Sequence, residues 1–268
     1  MRAITKSLLG IIFLGTISCG SYPKELNFKK VDDIYKPVHT VEQITEDLEF
    51  AYTHNEPDLI ENIFSEWQNT VKPNTVEFIN QNDTIAAIYN VFSAFLKSGN
   101  ILKRGNLQEC NELNQKFKYI VIQNVLFYSI LYMNKIGELE WNNSRKSLIS
   151  NFRPPVETVD NNVLYLTEEY NESINSFLGR EIIHAKDEIE IHSEYQDDWI
   201  LKYELLKDYL PVRPNQRENC WHFETDPYVN KIIFNKSITK AKIYFNIGSQ
   251  VGTAILEKKG KNWITIES

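Results

Sequence analysis

One apolar run constrains the fold of this chain more than any other segment. Residues 118–132, KYIVIQNVLFYSILY, hold no charge after Lys118 and are dense in β-branched and aromatic side chains. Such residues fit a pleated, buried surface better than a helix. The run therefore predicts a well-buried sheet strand, formed either as one long strand or as a bent pair.

The C-terminal 40 residues repeat the β pattern in shorter segments. Ile243, Phe245 and Ile247 alternate with polar neighbours, which is typical of a half-buried strand. Gly260 lies in a Lys-rich segment suited to a tight hairpin, whose lysines also blunt that end of a sheet. We expect an antiparallel meander with strands near 229–234, 238–247, 250–258 and 261–267.

The region 40–116 has helical periodicity instead. Thr40 and Gln43 have the spacing of a capping box, and Asp83 is a good N-cap residue. We expect three helices, beginning at Thr40, near Asn55 or Pro57, and at Asp83, and packing together as an all-helical unit.

Residues 117–268 should combine strands and helices. We expect mostly connecting structure over 134–163 and a helix over 167–178. A second helix should run from Trp199 to Tyr209, followed by an extended or looped segment over 211–228, which holds three prolines. The fold class is therefore α+β, with a helical N-terminal half and a C-terminal antiparallel sheet.

The first 18 residues have the pattern of an export signal. Arg2 and Lys6 precede an apolar stretch over 8–17, whose helix of about 15 Å would cover half the hydrocarbon core of a bilayer. That length suits the apolar region of a signal peptide rather than a transmembrane helix.

The segment around Cys19 resembles the lipobox of bacterial lipoproteins. Small residues flank this cysteine, in the order Ser18-Cys19-Gly20-Ser21, although Thr16 stands where the family prefers leucine. The resemblance implies cleavage after residue 18, a lipid on Cys19, a tether over 19–39, and attachment in the bacterial cell envelope, at the outer membrane.

The charge balance bears on the partners. Removal of residues 1–18 takes away Arg2 and Lys6 and no acid, which changes the net charge from −7 to −9. This charge repels phosphate backbones and anionic headgroups, so we expect no nucleic-acid partner. We expect the lipid, rather than a basic surface, to attach the protein to the membrane.

The other two cysteines leave two interpretations open. If Cys19 carries a lipid, Cys110 and Cys220 form an even pair in an oxidising compartment, where they could form a disulfide. The alternative is a pair of reduced, buried thiols that pack as small hydrophobic side chains.

Few residues suggest catalysis or metal binding. His184, Glu188 and His192 would share one face of a helix and are a weak candidate metal site. Cys220 and His222 are a candidate for an activated thiol. The carboxylates at 187, 188, 190, 197 and 198 are candidates for glycoside or metal chemistry.

Each of these groups has a structural alternative, because charged runs usually form solvated faces. The sequence contains no glycine-rich phosphate loop, Gly-x-Ser-x-Gly, His-Glu-x-x-His or Cys-x-x-Cys motif. We therefore expect no cofactor.

The segment from Asp226 to Ser268 is similar to the closing strands of cystatin-like and NTF2-like folds, in which a curved antiparallel sheet wraps a helix. Gly260-Lys261-Asn262-Trp263 carries the likeness, which supplies no catalytic residues. We expect a non-enzymatic envelope module that binds a protein, peptide or glycan. The alternative is an envelope hydrolase whose site uses scattered carboxylates and histidines.

The lipid anchor gives the first testable prediction. Cys19→Ala removes the only sulfur at the expected cleavage site, so the variant should accumulate as an uncleaved or soluble precursor and lose palmitate labelling. Membrane fractionation and metabolic labelling measure both effects. Wild-type fractionation and labelling of the variant would contradict the lipoprotein assignment.

Overall fold

The computed structural model describes residues 38–98, 118–134, 144–156, 162–179, 201–215, 220–223, 225, 227–247 and 250–267. The helices within these ranges include α1 Val41–Thr53, α2 Pro57–Thr70, α3 Val76–Ile79, α4 Asp83–Ser98 and α5 Glu168–Phe177. Residues 201–206 are also helical.

The strands of these ranges form three sheets. They are β1 Ile120–Gln123, β2 Val125–Leu131, β3 Ser144–Ser150, β4 Val163–Leu166, β5 Val212–Asn215, β6 Cys220–Phe223, β7 Tyr228–Phe234, β8 Lys240–Ile247, β9 Gln250–Lys259 and β10 Asn262–Glu267. The largest sheet has six strands in the order β10-β9-β8-β7-β2-β3. β1 pairs with β4 in parallel, and β5 with β6 in antiparallel fashion.

The α+β class is confirmed, and so is the meander of β7 to β10, in which neighbouring strands run antiparallel. The capping box is also confirmed, because the Thr40 side chain accepts from the Gln43 N–H and the Gln43 side chain accepts from the Thr40 N–H. One pairing was not expected: β2 joins β7 in parallel.

Two predictions were wrong. Asn82 rather than Asp83 caps α4, since the Asn82 Oδ1 accepts the Ile85 N–H at 2.9 Å. The segment expected to be a connector contains β3, a polar strand that forms because it pairs along the whole of β2. Among the N-terminal helices, α1 packs on α2 and α5, whereas α4 packs on β9 and β10.

The apolar run forms the bent pair, divided at Asn124. β1 lies in the two-stranded parallel sheet and β2 in the six-stranded sheet. The buried Gln123 amide supports the bend: its Nε2 donates to the carbonyl of Val229 at 2.8 Å, and its Oε1 accepts the Val229 N–H at 2.5 Å. This side chain acts as an additional rung beside the β2–β7 pairing.

Trp67 organises the packing of the helices on β4. Its ring is fully buried and stacks on Tyr170 of α5, with centroids 4.1 Å apart and planes 3° apart. Its Nε1 donates to the Tyr165 carbonyl of β4 at 3.0 Å. Burial raises the pKa of the Tyr165 phenol, which stays protonated and donates to the Pro154 carbonyl. One indole thus joins α2, α5 and β4.

The meander packs one face on α4. Phe95 of α4 contacts Phe245 of β8, with ring centroids 4.8 Å apart. The Phe245 ring covers Gly252, its direct partner on β9. A Cβ on Gly252 would lie 2.4 Å from the Phe245 Cζ, so glycine is what lets this ring lie flat over the sheet.

Gly252→Ala should therefore lower the free energy of unfolding by about 1–3 kcal/mol, the usual cost of overpacking, because the ring cannot move without losing its contact with Phe95. Denaturant unfolding measures the change. In a Phe245→Leu background the same substitution should cost less than about 0.5 kcal/mol. An equal cost in both backgrounds would show that the ring is not the cause.

Candidate functional site

Most residues of the predicted sites lie outside the described ranges. These are Cys19, Cys110, His184, Glu188 and His192, together with the carboxylates at 187, 190, 197 and 198. Cys220 and His222 lie on β6, where their backbones pair with Asn215 and Arg213 of β5. The proposed disulfide, metal site and carboxylate sites all remain predictions.

The described ranges add two findings on candidate chemistry. No three His, Cys, Asp or Glu side chains come together in them as a metal site would require. None of their helices combines the length and the apolar character needed to span a bilayer.

An open groove lies between α4 and β10. Its volume is about 770 Å³, within the range of small-ligand and peptide sites. One wall comes from α4, through Asn90, Ser93, Ala94 and Lys97, and the other from residues 261–267 of β10 and its preceding turn. The α4 wall is thus made of small or polar side chains.

The β10 wall is an edge of the six-stranded sheet. In the described part of the chain no strand pairs with its outer side, which is where backbone N–H and C=O groups of an edge strand point. Its register on β9 is regular from Asn262 to Thr265 and shifts between Thr265 and Glu267. The regular part of the open edge is therefore four residues long.

The two edges of this sheet differ in sequence. β3, at the far edge, carries Arg145 and Lys146 near its beginning, and such charges discourage pairing with another strand. The central residues of β10 are Trp263, Ile264, Thr265 and Ile266, none of which is charged. The β10 edge therefore lacks the central charge that would discourage pairing.

Trp263 forms the closely packed floor of the groove. Trp263 is only 7% exposed, and its ring packs edge-on against Phe234 of β7 with centroids 5.9 Å apart. Ile266 lies at the rim and is 50% exposed. An incoming segment would thus meet a well-packed floor and an apolar rim.

The charges of β10 lie at its ends. Lys261 comes directly before the strand and Glu267 is its last residue, and both side chains are exposed. Within the described ranges neither is within ion-pair distance of an opposite charge. A cross-strand ion pair already exists nearby, where Lys240 and Glu257 face each other on β8 and β9 at 3.3 Å.

This arrangement offers three kinds of contact to an extended segment. The backbone edge supplies donors and acceptors, Ile264 and Ile266 supply apolar contact, and the charges at the ends can orient the bound segment. The lining contains no histidine or cysteine, and Glu267 is its one carboxylate.

Sequence reasoning did not identify this groove. It predicted the strand over 261–267 but could not show which neighbour the strand lacks, since α4 and β10 are about 170 residues apart. The one signal available was the uncharged centre of the last strand, beside the Lys-rich hairpin.

A comparison of the chain with known protein families, curated proteins and solved structures finds no match.

The burial of the groove residues predicts that substitutions at its floor cost more folding stability than substitutions at its rim. Trp263→Ala should lower the free energy of unfolding by about 3–5 kcal/mol, because it leaves a cavity beside Phe234. Ile266→Ala should change it by less than about 0.5 kcal/mol, because the side chain is half-exposed. Equal losses in thermal or denaturant unfolding would contradict this division.

Proposed function

We propose that this protein is a lipid-anchored module of the bacterial cell envelope that binds a protein partner and performs no covalent chemistry. The lipobox resemblance at Cys19 supports the anchor, and residues 19–39 serve as the tether to the outer membrane. The net charge of −9 after cleavage leaves the lipid to hold the module at its membrane.

The open edge of β10 beside α4 is the observation that carries the binding proposal. An extended segment added to a sheet edge gains main-chain hydrogen bonds for affinity and side-chain contacts for specificity. The regular part of this edge, Asn262 to Thr265, is about 13 Å long, which is enough for a short peptide segment.

The same groove favours a protein segment over a glycan. Sugar rings commonly bind on exposed aromatic faces, but the one aromatic residue of the lining, Trp263, is buried against the sheet. The backbone donors and acceptors of an edge strand have the spacing of another strand.

For the fold we propose a cystatin-like or NTF2-like unit formed by α4 and the meander of β7 to β10. The packing of Phe95 of α4 against Phe245 of β8 supports this proposal, since a helix lies against one face of an antiparallel sheet. The parallel pairing of β7 with β2 departs from that pattern.

A photocrosslinking residue at position 266 tests the binding proposal. The full-length chain carrying p-benzoylphenylalanine in place of Ile266 should give a light-dependent protein adduct in intact envelopes. The matched control replaces Leu201, which is 56% exposed on the helical segment 201–206. Adducts from neither position, or equally from both, would contradict partner binding in the groove.

A further inference from the structure

We propose that one end of the six-stranded sheet docks on an anionic lipid surface. This basic end consists of residues 132–134 after β2, residues 235–240 between β7 and β8, and residues 258–261 where β9 turns into β10. The inference rests on the membrane location in the proposed function, but it does not need a segment bound in the groove.

Hydrogen bonds join the three parts of the basic end into one surface. The Lys236 N–H donates to the Met133 carbonyl at 2.9 Å, and the Lys258 N–H donates to the Thr239 carbonyl at 2.8 Å. Because neighbouring strands lie about 4.8 Å apart, the five strands from β2 to β10 spread this end over about 19 Å.

The basic end is rich in lysine. Five lysines lie on it, and all are exposed: Lys236, Lys240, Lys258, Lys259 and Lys261. Lys240 pairs with Glu257 at 3.3 Å, whereas the other four have no carboxylate within ion-pair distance in the described ranges. The basic end therefore has an excess of positive charge.

This charge is separated along the chain from the acidic residues. Residues 228–247 and 250–267 hold seven lysines and two glutamates, whereas residues 41–98 hold two lysines and ten carboxylates. Seven of those carboxylates lie on α1 and α2, whose main contacts are with each other, α5 and β4. The acidic character of the chain thus belongs mainly to its helices.

A membrane responds to the face that is turned towards it, because salt screens more distant charges. The Debye length is about 8 Å at physiological ionic strength, so exposed charges farther apart than this interact weakly. Repulsion from anionic headgroups, which the net charge of the whole chain predicts, therefore need not extend to the basic end.

Two exposed apolar side chains lie among these lysines. Tyr132 is 68% exposed and Met133 is 58% exposed. Tyrosine is enriched at membrane–water interfaces, and lysine can keep its charge at the headgroups while its stem contacts apolar groups. Cations around an apolar tip form a surface that attracts anionic headgroups and inserts between them.

The opposite end of the meander lacks this combination. Val251 is 77% exposed there, but its cross-strand neighbour is Asn246, and Tyr228 is the next residue along. An exposed apolar group without lysines gives no attraction to anionic headgroups. Position 251 is therefore a matched control for position 132.

Lipid crosslinking tests which end of the sheet meets the membrane. The purified full-length chain, with p-benzoylphenylalanine in place of Tyr132, is mixed with vesicles of equal parts phosphatidylcholine and phosphatidylglycerol. Light should give at least about tenfold more lipid adduct than with phosphatidylcholine vesicles. The same crosslinker in place of Val251 should give little adduct with either vesicle.

Removal of charge tests the role of the lysines. In the chain with the crosslinker at position 132, Lys236→Gln together with Lys259→Gln should lower the adduct yield at least about tenfold, since each lysine near an anionic surface strengthens binding about fivefold. Lys72→Gln together with Lys207→Gln makes the same charge change outside the meander and should leave the yield within about twofold. Thermal unfolding of each variant checks that the fold is intact.

Three results would overturn docking of the basic end: equal adducts from positions 132 and 251, equal yields with the two vesicles, or equal losses from the two double variants. In intact envelopes, a protein adduct at position 132 in place of a lipid adduct would overturn it in favour of an acidic protein partner. None of these results alters the test of the groove, which uses position 266.

Discussion

The parallel pairing of β2 with β7 is the interaction on which the rest of the structure depends. It joins the strands of the apolar run to the C-terminal meander across about 100 residues of chain. Gln123 extends this joint through two hydrogen bonds to the Val229 backbone. Ile232 and Ile233 are consecutive residues of β7 and point to opposite faces, and both are fully buried, so the centre of the sheet is covered on both faces.

The joint also determines where the edges lie. Because β2 and β7 occupy the interior, the meander extends away from them and ends at β10, while β3 closes the opposite side. α4 then covers the face of the meander through Phe95 and Phe245, and its flank forms the groove wall. The candidate site is thus a consequence of strand order, not of a local motif.

Local patterns in the sequence were sufficient for much of this fold. The capping box at Thr40, the alternation of Ile243 and Phe245, and the dense apolar run each use interactions between residues close in the chain. β3 could not be predicted in this way, because its Ser-Arg-Lys-Ser beginning has no apolar alternation and its strand form depends on β2. The parallel joint and the open edge of β10 are likewise long-range features.

The same limit applies to the candidate site. Reasoning from residue types directed attention to histidines, cysteines and carboxylates, since these carry chemistry wherever they come together. The groove instead uses backbone groups and ordinary side chains such as Ser93 and Ile266, which have no distinctive pattern in a sequence. Its recognition required the geometry of α4 beside the sheet.

The bend at Asn124 has a consequence for how this protein can be divided. One uninterrupted apolar run supplies a strand to the small parallel sheet and a strand to the large one. A cut that separates the two sheets would leave each fragment with an exposed apolar strand end and no neighbour to cover it. The chain therefore offers no point at which the two sheets can be separated without exposing an apolar strand. We expect a stable fragment of this protein to contain both sheets.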